Sequence, residues 1–482
     1  MRWKSRLFPR KSGRTASSAR SFPTATKLPS SSNQEVLVSL SEVYRFVEKE
    51  LDKLKPDCFE LFTLEERVSH VESRDGRVDF ARESSSTGFA LRVFREGRMG
   101  FSYSFSPEKE DLRRMVEGAS WGARYAHPDG DAGLPSPPDS YPRVPFRMGP
   151  APAPEEKSRL AVDLERETLA RDGRMKRVRY ATVREVLRKV RIENSLGLEG
   201  EYERSFYTAF VYAVAEEGGQ SESGFGVAIR ESFSDLVDAV PSVADEASMR
   251  ALRMLGSRRI STGKYPVIVE NGAMVELLEV LVPSFSLKNV LLGRSWLAGK
   301  RGERLFSPLV TIQDDPLLPE GTGACPFDDE GVPSRKLDLV REGVVSEFLA
   351  DTRYGKKGGT GSTGSARRGG VKSPPEVGHS NVIFRPGEES PREMMGKFPR
   401  GILLTGFLGL HTADPVSGDF SVGAQGLYFE GGEVAFPVRT FAISGNIFSL
   451  LRDVVAVGSD FRLVGSIGAP SVAVSELDIG GE

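Results

Sequence analysis

The spacing of apolar side chains divides the first part of the chain into a helix, several strands and a second helix. Apolar residues recur at helical spacing over residues 39–54, where Ser41 is the expected N-terminal cap. Residues 58–105 alternate with period two and carry turn signals at Arg74-Asp75-Gly76 and Glu96-Gly97-Arg98, which predicts antiparallel hairpins. Helical spacing returns over residues 107–126.

The same order of elements follows a proline-rich stretch. Residues 128–154 contain nine prolines and predict a linker or an extended arm, because proline fits neither a strand ladder nor a helix interior. The pattern then predicts a helix over 154–172, antiparallel strands, and a helix from Ser232 to about Leu255. Both halves read helix, antiparallel strands, helix, which suggests a duplicated unit with slight residue identity.

From Lys264 onwards the pattern changes to short β segments separated by Gly and Pro, with helices near residues 273–290 and 447–455. The predicted fold class is α+β, with N-terminal helix and antiparallel-sheet units followed by a mostly β C-terminal domain. The predicted parts are a disordered basic tail (1–34), an N-terminal domain (35–127), the proline-rich linker or arm (128–154), a central domain (155–262) and a C-terminal domain (263–482).

Charge and composition exclude several classes of protein. The net charge is −2, but residues 1–34 hold eight Lys or Arg and no acid, which leaves 57 basic and 67 acidic residues in an acidic body that does not suit nucleic acid. No apolar run is long enough for a membrane helix. The tail lacks the apolar core of a secretory signal, so an organelle transit peptide and a disordered extension both stay open. Two distant cysteines, Cys58 and Cys325, exclude a CxxC metal site and suggest a reducing compartment.

Few residues suggest catalytic chemistry. The chain has four histidines, and none of them shows the i, i+4 spacing of two metal ligands on one helix: His70, His127, His379 and His411. A zinc site built from His379, His411 and a carboxylate stays open as an alternative to structural histidines. Glu276 and Glu279 share one face of a predicted helix, where they are either solvated or able to help hold Mg²⁺ or Ca²⁺.

Three further segments are ambiguous. The acidic runs Asp314-Asp315 and Asp328-Asp329-Glu330 are typical of turns before strands. Residues 355–370 contain seven glycines and four basic residues but lack the order of a phosphate-binding loop. A flexible surface loop, a clasp for a ligand or peptide, and direct nucleic-acid binding all stay open for them.

These patterns indicate no function, whereas a resemblance to a known family does. The sequence resembles the TldD/PmbA family, and within it the PmbA (TldE) branch, over about residues 39–480. The segments that carry the resemblance are GRSWLAGKRGERLFSPLVTIQDDP (293–316), PFDDEGVPSRK (326–336), LVREGVVSEFLADTRYGKK (339–357), STG (362–364), GDFSVGAQGLYFEGGEVAFPVRTFAISGNI (418–447) and VGSDFRLVGSIGAPSVAV (457–474). The glycine-rich region near Gly358 and the spacer 367–381 depart from the family pattern.

The resemblance implies a cytoplasmic protein that acts in proteolysis of small or unfolded peptides. In the TldD branch a helix with HExxxH and a later Cys hold zinc, which suits a tetrahedral site with one position open for water. Here the corresponding helix, Ala273 to Val282, has neither His, and the later segment SDFRLVGSIGAP has no Cys. The resemblance therefore implies a non-catalytic chain without its own cofactor, which pairs as a heterodimer with a zinc-containing TldD-like subunit and binds peptide but neither nucleic acid nor membrane.

The resemblance assigns no catalytic or metal-binding residue to this chain. Three segments are expected to face the peptide or the partner, and their residues are Asp328, Asp329, Glu330, Gly331, Ser362, Thr363, Gly364, Arg367, Ser421 and Gly423. Two other functions stay open: a stand-alone peptide hydrolase with an unrecognised site, and a regulatory adaptor of the gyrase-modulator type.

Overall fold

The computed structural model describes residues 39–481, so the predicted basic tail of residues 1–34 lies outside the described residues. A helix-covered antiparallel sheet leads into a C-terminal region made mostly of short strands, which confirms the predicted α+β fold class. Between residues 39 and 481, no helix has the length and apolar character needed to cross a membrane.

The first unit contains two helices around three strands, namely α1 (Leu40–Asp52), β1 (Cys58–Arg74), β2 (Arg77–Arg95), β3 (Arg98–Ser104) and α2 (Lys109–Tyr125). Ser39, rather than the predicted Ser41, caps α1. The Ser39 hydroxyl accepts the Glu42 N–H at 3.3 Å, and the Glu42 carboxylate accepts the Ser39 N–H at 3.0 Å, which forms a capping box. The turn between β1 and β2 has Asp75 and Gly76 at positive φ, as tight hairpins require.

The second unit repeats this order with α3 (Pro154–Ala170), β4 (Met175–Asn194), β5 (Glu199–Glu217), β6 (Gln220–Arg230) and α4 (Phe233–Leu252). The six strands form one antiparallel sheet in the order β3-β2-β1-β4-β5-β6. Strands β1 and β4 join the units, from Glu60 opposite Asn194 to Ser73 opposite Ala181. The predicted domain boundaries stay predictions, but the strands of the first two predicted domains share this sheet.

Each unit packs its helices on the sheet through a glycine in its third strand. A Cβ at Gly100 would lie 1.8 Å from the carbonyl oxygen of Ala119 in α2, and one at Gly224 would lie 2.2 Å from that of Ala247 in α4. Only glycine allows the helix backbone to approach this closely. The repeated contact supports the interpretation of two copies of one structural unit.

The proline-rich segment is an extended arm that packs on the protein. It has no helix or strand before Pro154, which begins α3. The Tyr141 hydroxyl donates to the Gly331 carbonyl at 3.1 Å, and its ring lies 4.8 Å from that of Phe327. The arm therefore contacts the C-terminal region as well as joining the two units.

The C-terminal region begins with β7 (Gly263–Val269) and α5 (Asn271–Leu281). Its other helices are α6 (Leu287–Leu291), α7 (Thr352–Lys357), α8 (Pro391–Gly396) and α9 (Ile447–Arg452). Its other strands are β8 (Ile312–Asp314), β9 (Leu337–Arg341), β10 (Val344–Val345), β11 (Ala366–Arg367), β12 (Glu376–Val377), β13 (Val382–Phe384), β14 (Arg400–Leu408), β15 (Asp419–Glu430), β16 (Glu433–Asn446), β17 (Val454–Val457), β18 (Arg462–Val464), β19 (Ile467–Ala469) and β20 (Val472–Gly480).

Two sheets of this region enclose its core. One has the order β16-β15-β14-β7-β20-β17 and closes on itself because β16 also pairs with β20. The other has the order β10-β9-β8-β13-β19-β18. Helix α5 contributes Met274, Leu277, Leu278 and Leu281 to the core that both sheets share, so its position is fixed by apolar burial.

Candidate functional site

The strand-turn-helix at residues 263–281 is the local structure in which the resemblance leads one to expect a metal centre. The helix begins at Asn271, two residues before the predicted start at Ala273, and Glu270 precedes it in extended conformation. Its apolar residues lie in the core, and polar residues of neighbouring segments contact its N-terminal end. The later segment SDFRLVGSIGAP is among those neighbours.

Asp460 of that segment and Ser471, which follows it, contact Asn271 at the start of α5. The Asn271 amide donates to the Asp460 carbonyl at 2.8 Å and to the Asp460 carboxylate at 3.2 Å. The Ser471 hydroxyl donates to the same carboxylate at 2.6 Å and accepts the Asn271 N–H at 3.0 Å. We call Asn271, Asp460 and Ser471 the α5 polar cluster, and its members satisfy one another.

Glu270, the residue before α5, forms an ion pair with an arginine. Arg253, just after α4, donates to both carboxylate oxygens of Glu270, each at 2.7 Å. Arg250 lies one turn earlier, pairs with Glu246 at 2.8 Å and approaches Gly272, and Glu246 also contacts Arg462. The carboxylates here are therefore committed to arginine partners.

The donors at this position do not fit zinc. Zinc in peptidases takes three protein ligands, with imidazole nitrogen or thiolate sulfur prominent among them. The α5 polar cluster offers an amide, one carboxylate and a hydroxyl, and these bond to each other. Among residues 39–481, no three His, Cys, Asp or Glu side chains are grouped so as to hold a metal ion.

Two carboxyl groups lie further along α5. Burial, and then the neighbouring charge of Glu279, raise the pKa of Glu276 to about 7, against the opposing effect of the Phe407 N–H and of Arg250. Burial also raises the pKa of Glu279. The predicted common face of the two residues therefore holds a carboxyl group whose proton is gained or lost near neutral pH.

Glu279 also lines a groove of about 480 Å³ beside the C-terminal end of α5. Lys288, Glu376, His379 and Ser466 lie along the same groove, and Lys288 pairs with Glu376 at 2.8 Å. Burial, and then the charge of Arg367, lower the pKa of His379 to about 4, so its imidazole is neutral at pH 7. The groove thus combines apolar walls with both signs of charge.

The alternative of a zinc site built from His379, His411 and a carboxylate finds no support among the described residues. The Nε2 atom of His379 lies 3.3 Å from the Ser466 hydroxyl, whereas His411 is exposed on a short 3₁₀ helix at Leu410–Thr412. The described residues bring neither histidine into a group of three metal-binding side chains.

The predicted turn at Asp328–Gly331 is buried between the N-terminal sheet and the C-terminal region. Asp328 accepts the N–H groups of Glu330, Val332 and Ala366, each at 2.9 Å. Burial, and then the charge of Glu330, raise the pKa of Asp328 to about 7. The carboxylates of this turn bond within the chain. The expected contact of the turn with a peptide or a partner stays a prediction.

A buried ionic cluster anchors this turn to the sheet. Arg92 on β2 contacts the Glu60 carboxylate and donates to Glu330 at 2.8 Å, and Arg368 also contacts Glu60. Arg92 lowers the pKa of Glu330 in spite of its burial. Asp329 accepts the Arg368 N–H at 2.6 Å. These four contacts join parts of the chain that lie far apart in sequence.

The remaining predicted residues lie in two places. Ser362, Thr363 and Gly364 follow α7, where Thr363 is buried and accepts the Ala350 N–H at 2.7 Å, and Arg367 donates to the His379 carbonyl at 3.2 Å near the groove. Ser421 and Gly423 lie on β15, with Ser421 exposed. The structure brings the first set toward the Asp328 turn and leaves the β15 pair apart from it.

Sequence reasoning missed the α5 polar cluster and the ionic cluster of Glu60, Arg92 and Arg368. Asparagine, serine and aspartate are common in turns, and a charged residue within a strand does not reveal whether it is buried. Asn271, the second residue after an apolar strand, is the one signal that marks the start of α5.

Known proteins match over nearly all of this architecture. Family models described as PmbA/TldA metallopeptidase domain 1, central domain and C-terminal domain match residues 59–120, 149–255 and 262–481. The metalloprotease PmbA of Escherichia coli O157:H7 is 28% identical over 440 residues, 90% of this chain and 94% of that protein. A metalloprotease of Archaeoglobus fulgidus is 30% identical over 394 residues, 81% of this chain and 89% of that protein.

Solved structures of other proteins share this fold. A Thermotoga maritima protein described as a candidate modulator of a DNA gyrase has 28% identity and a TM-score of 0.84, and covers 92% of this chain and 100% of its own. TldE from Thermococcus kodakarensis shares the fold with 24% identity, a TM-score of 0.83 and coverage of 92% and 100%. The chain therefore belongs to the PmbA/TldD metallopeptidase family.

Proposed function

We propose that this chain is a non-catalytic, PmbA/TldE-like subunit of a cytoplasmic peptidase complex whose zinc is held by a TldD-like partner. The observation that carries this proposal is the α5 polar cluster. The resemblance implies zinc ligands in the helix Ala273 to Val282 and in residues 459–470, both of which lack His and Cys, and the polar side chains beside the start of this helix are bonded to one another.

Breaking the hydrogen bonds of the α5 polar cluster would cost free energy and would provide few ligands for zinc. Opening the cluster would leave the buried Ser471 hydroxyl without a partner, at a cost of about 1–3 kcal/mol, and would also remove the partners of the half-buried Asn271 amide. A single carboxylate, Asp460, would then remain as a ligand, and one ligand does not define a zinc site.

The groove beside α5 supports a role in peptide binding. Its walls combine Leu349 and Ile467 with the carboxylate of Glu279 and the neutral imidazole of His379. Such a lining suits a short stretch of peptide with varied side chains. In the proposed complex, this subunit holds peptide and stabilises the partner, and exposed Ser421 is a candidate partner contact.

Metal analysis and reconstitution test the proposal together. The purified chain is expected to bind no stoichiometric zinc and to cleave peptides only when mixed with a TldD-like subunit. Zinc-dependent cleavage by the chain alone would overturn the proposal.

A double variant separates it from a stand-alone hydrolase. The His379→Ala, His411→Ala double variant is expected to leave zinc content at zero, with no activity of its own to lose. If the isolated chain cleaves peptides and this variant does not, the hydrolase function is correct. The gyrase-modulator function instead requires a protein target, so it predicts capture of purified gyrase by the immobilised chain.

A further inference from the structure

A pocket of about 250 Å³ opens between the end of α1, strand β2 and helix α2. The apolar residues that line it are Leu54, Pro56, Val93, Trp121 and Ala123. Trp121 is 57% exposed, and the Tyr125 ring stacks on it at 5.4 Å. The volume lies below the roughly 300–1,000 Å³ of sites for drug-sized molecules, so the pocket suits a ligand about as large as one amino acid.

Four polar side chains also line this pocket, namely Arg95, Glu117, Ser120 and Arg124. The Ser120 Oγ atom is buried and has no hydrogen-bond partner among residues 39–481. Within the same residues Arg124 forms no ion pair, and its guanidinium lies 5.7 Å from the centre of the Trp121 ring. The Arg95 Nε atom lies 3.9 Å from the Glu96 carboxylate. Because buried hydroxyl groups are nearly always bonded, the unpaired Ser120 hydroxyl indicates a partner from outside the chain.

The two structural units can be aligned through the glycines of their third strands. Gly100 contacts the backbone of α2, and Gly224 contacts that of α4, at equivalent points of the two helices. The same glycines give the register of β2 against β3 and of β5 against β6. The positions that correspond are Ala119 and Ala247, Ser120 and Ser248, Arg124 and Leu252, and Arg95 and Ala215.

In the second unit the corresponding positions are packed within the protein. Ala215 is fully buried, and Leu252 packs against the core of that unit. The Ser248 hydroxyl donates to the Ala244 carbonyl at 2.8 Å and lies 3.3 Å from the Thr168 carbonyl of α3. The first unit instead has two guanidinium groups and an unpaired hydroxyl beside an apolar pocket. These features are therefore specific to the first unit and do not follow from the repeated fold.

We propose that this pocket binds the carboxylate and side chain of an apolar amino acid, either free or as the last residue of a peptide. The apolar lining receives the side chain. Arg95 and Arg124 bind the carboxylate, which guanidinium groups recognise through paired, charge-assisted hydrogen bonds. The Ser120 hydroxyl donates to the same carboxylate. Glu117 is placed to bind an α-ammonium group, which a free amino acid carries and the last residue of a peptide lacks.

Calorimetric titration of the full chain with L-phenylalanine tests this binding. The expected Kd is about 0.1–1 mM, which is typical of a ligand of this size. L-Phenylalaninamide lacks the carboxylate and glycine lacks the apolar side chain, so each is expected to bind at least about tenfold more weakly. N-acetyl-L-phenylalanine keeps both groups but lacks the ammonium. Equal binding of the acetylated form identifies the last residue of a peptide as the ligand, and tighter binding of L-phenylalanine identifies a free amino acid.

Substitutions test the role of each polar group. Arg95→Gln and Arg124→Gln are each expected to weaken the binding of L-phenylalanine at least about tenfold. Arg114→Gln is the matched control, because Arg114 is an exposed arginine of the same helix that does not line the pocket, and it is expected to leave the Kd unchanged. Ser120→Ala is expected to weaken binding without lowering the midpoint of urea unfolding, because the Ser120 hydroxyl has no hydrogen bond within residues 39–481 to lose.

Several outcomes would overturn the proposal. One is the absence of binding by both L-phenylalanine and its acetylated form at about 10 mM. Another is L-phenylalaninamide binding as tightly as L-phenylalanine, which would show that the pocket does not recognise a carboxylate. Unchanged affinity in both Arg95→Gln and Arg124→Gln, or an equal loss in Arg114→Gln, would show that these two guanidinium groups do not hold the ligand. Circular dichroism of each variant confirms that the chain is folded.

Discussion

Replacing Glu276 by Gln tests the electrostatics of helix α5, in which two carboxyl groups share one face. Glu276 titrates near pH 7 in the folded chain and near 4.5 when unfolded. Its ionised form is therefore disfavoured by folding. The free-energy cost of keeping the ionised Glu276 carboxylate in the folded chain is absent well below pH 4.5, grows between pH 4.5 and 7, and is complete above pH 7.

The magnitude follows from the two pKa values. Their difference corresponds to at most about 3 kcal/mol, and the partial exposure of Glu276 reduces this to about 1–2 kcal/mol. Glutamine keeps an oxygen for the Phe407 N–H but carries no charge. We expect Glu276→Gln to raise the free energy of unfolding by about 1–2 kcal/mol near pH 8, and by less than about 0.5 kcal/mol near pH 4.5.

Urea unfolding at both pH values measures this difference, and ¹³C NMR of labelled Glu carboxyl groups gives the titration midpoint. Glu279→Gln is the matched variant, since removing the Glu279 charge is expected to lower the midpoint of Glu276. A Glu276 midpoint near 4.5, or an equal effect of Glu276→Gln at both pH values, would refute the reasoning.

Two further substitutions probe the clusters that hold the fold together. Arg92→Met removes one arginine partner from each of two buried carboxylates and is expected to cost about 3–5 kcal/mol in urea unfolding, whereas Arg95→Met, at a side chain that is 43% exposed, is expected to cost less than about 0.5 kcal/mol. Equal costs would show that the buried cluster does not stabilise the junction. Asn271→Ala breaks the α5 polar cluster and is expected to lower the free energy of unfolding by about 1–3 kcal/mol without creating zinc binding. Asn289→Ala, which loses one exposed hydrogen bond to the Pro283 carbonyl, serves as the control. An Asn271→Ala chain that binds zinc would contradict the account.

Much of the fold could be predicted because its signals are local. Alternation over residues 58–105, and an Asp-Gly turn after Arg74, specify the β1–β2 hairpin without reference to the rest of the chain. The pairing of β1 with β4 is different, since it depends on two units more than a hundred residues apart. Periodicity shows that each strand exists but not which strand lies beside it.

The site was harder to predict than the fold, and for a physical reason. Asp328 and Glu330 have the composition of an exposed turn, yet both are buried, because three backbone N–H groups bond to Asp328 and Arg92 pairs with Glu330. Charged residues enter a protein interior only with such partners, and the partners here come from distant strands. The absence of His and Cys at α5 was visible in the sequence, but the mutual bonding of Asn271, Asp460 and Ser471 required the structure.

Zinc content, measured alongside peptide cleavage for the chain alone and mixed with a TldD-like subunit, tests the central claim most directly. The account predicts zinc in the mixture only in proportion to the TldD-like subunit, and cleavage that requires that subunit and increases when this chain is added. Stoichiometric zinc in this chain alone, together with cleavage that a chelator abolishes, would contradict it.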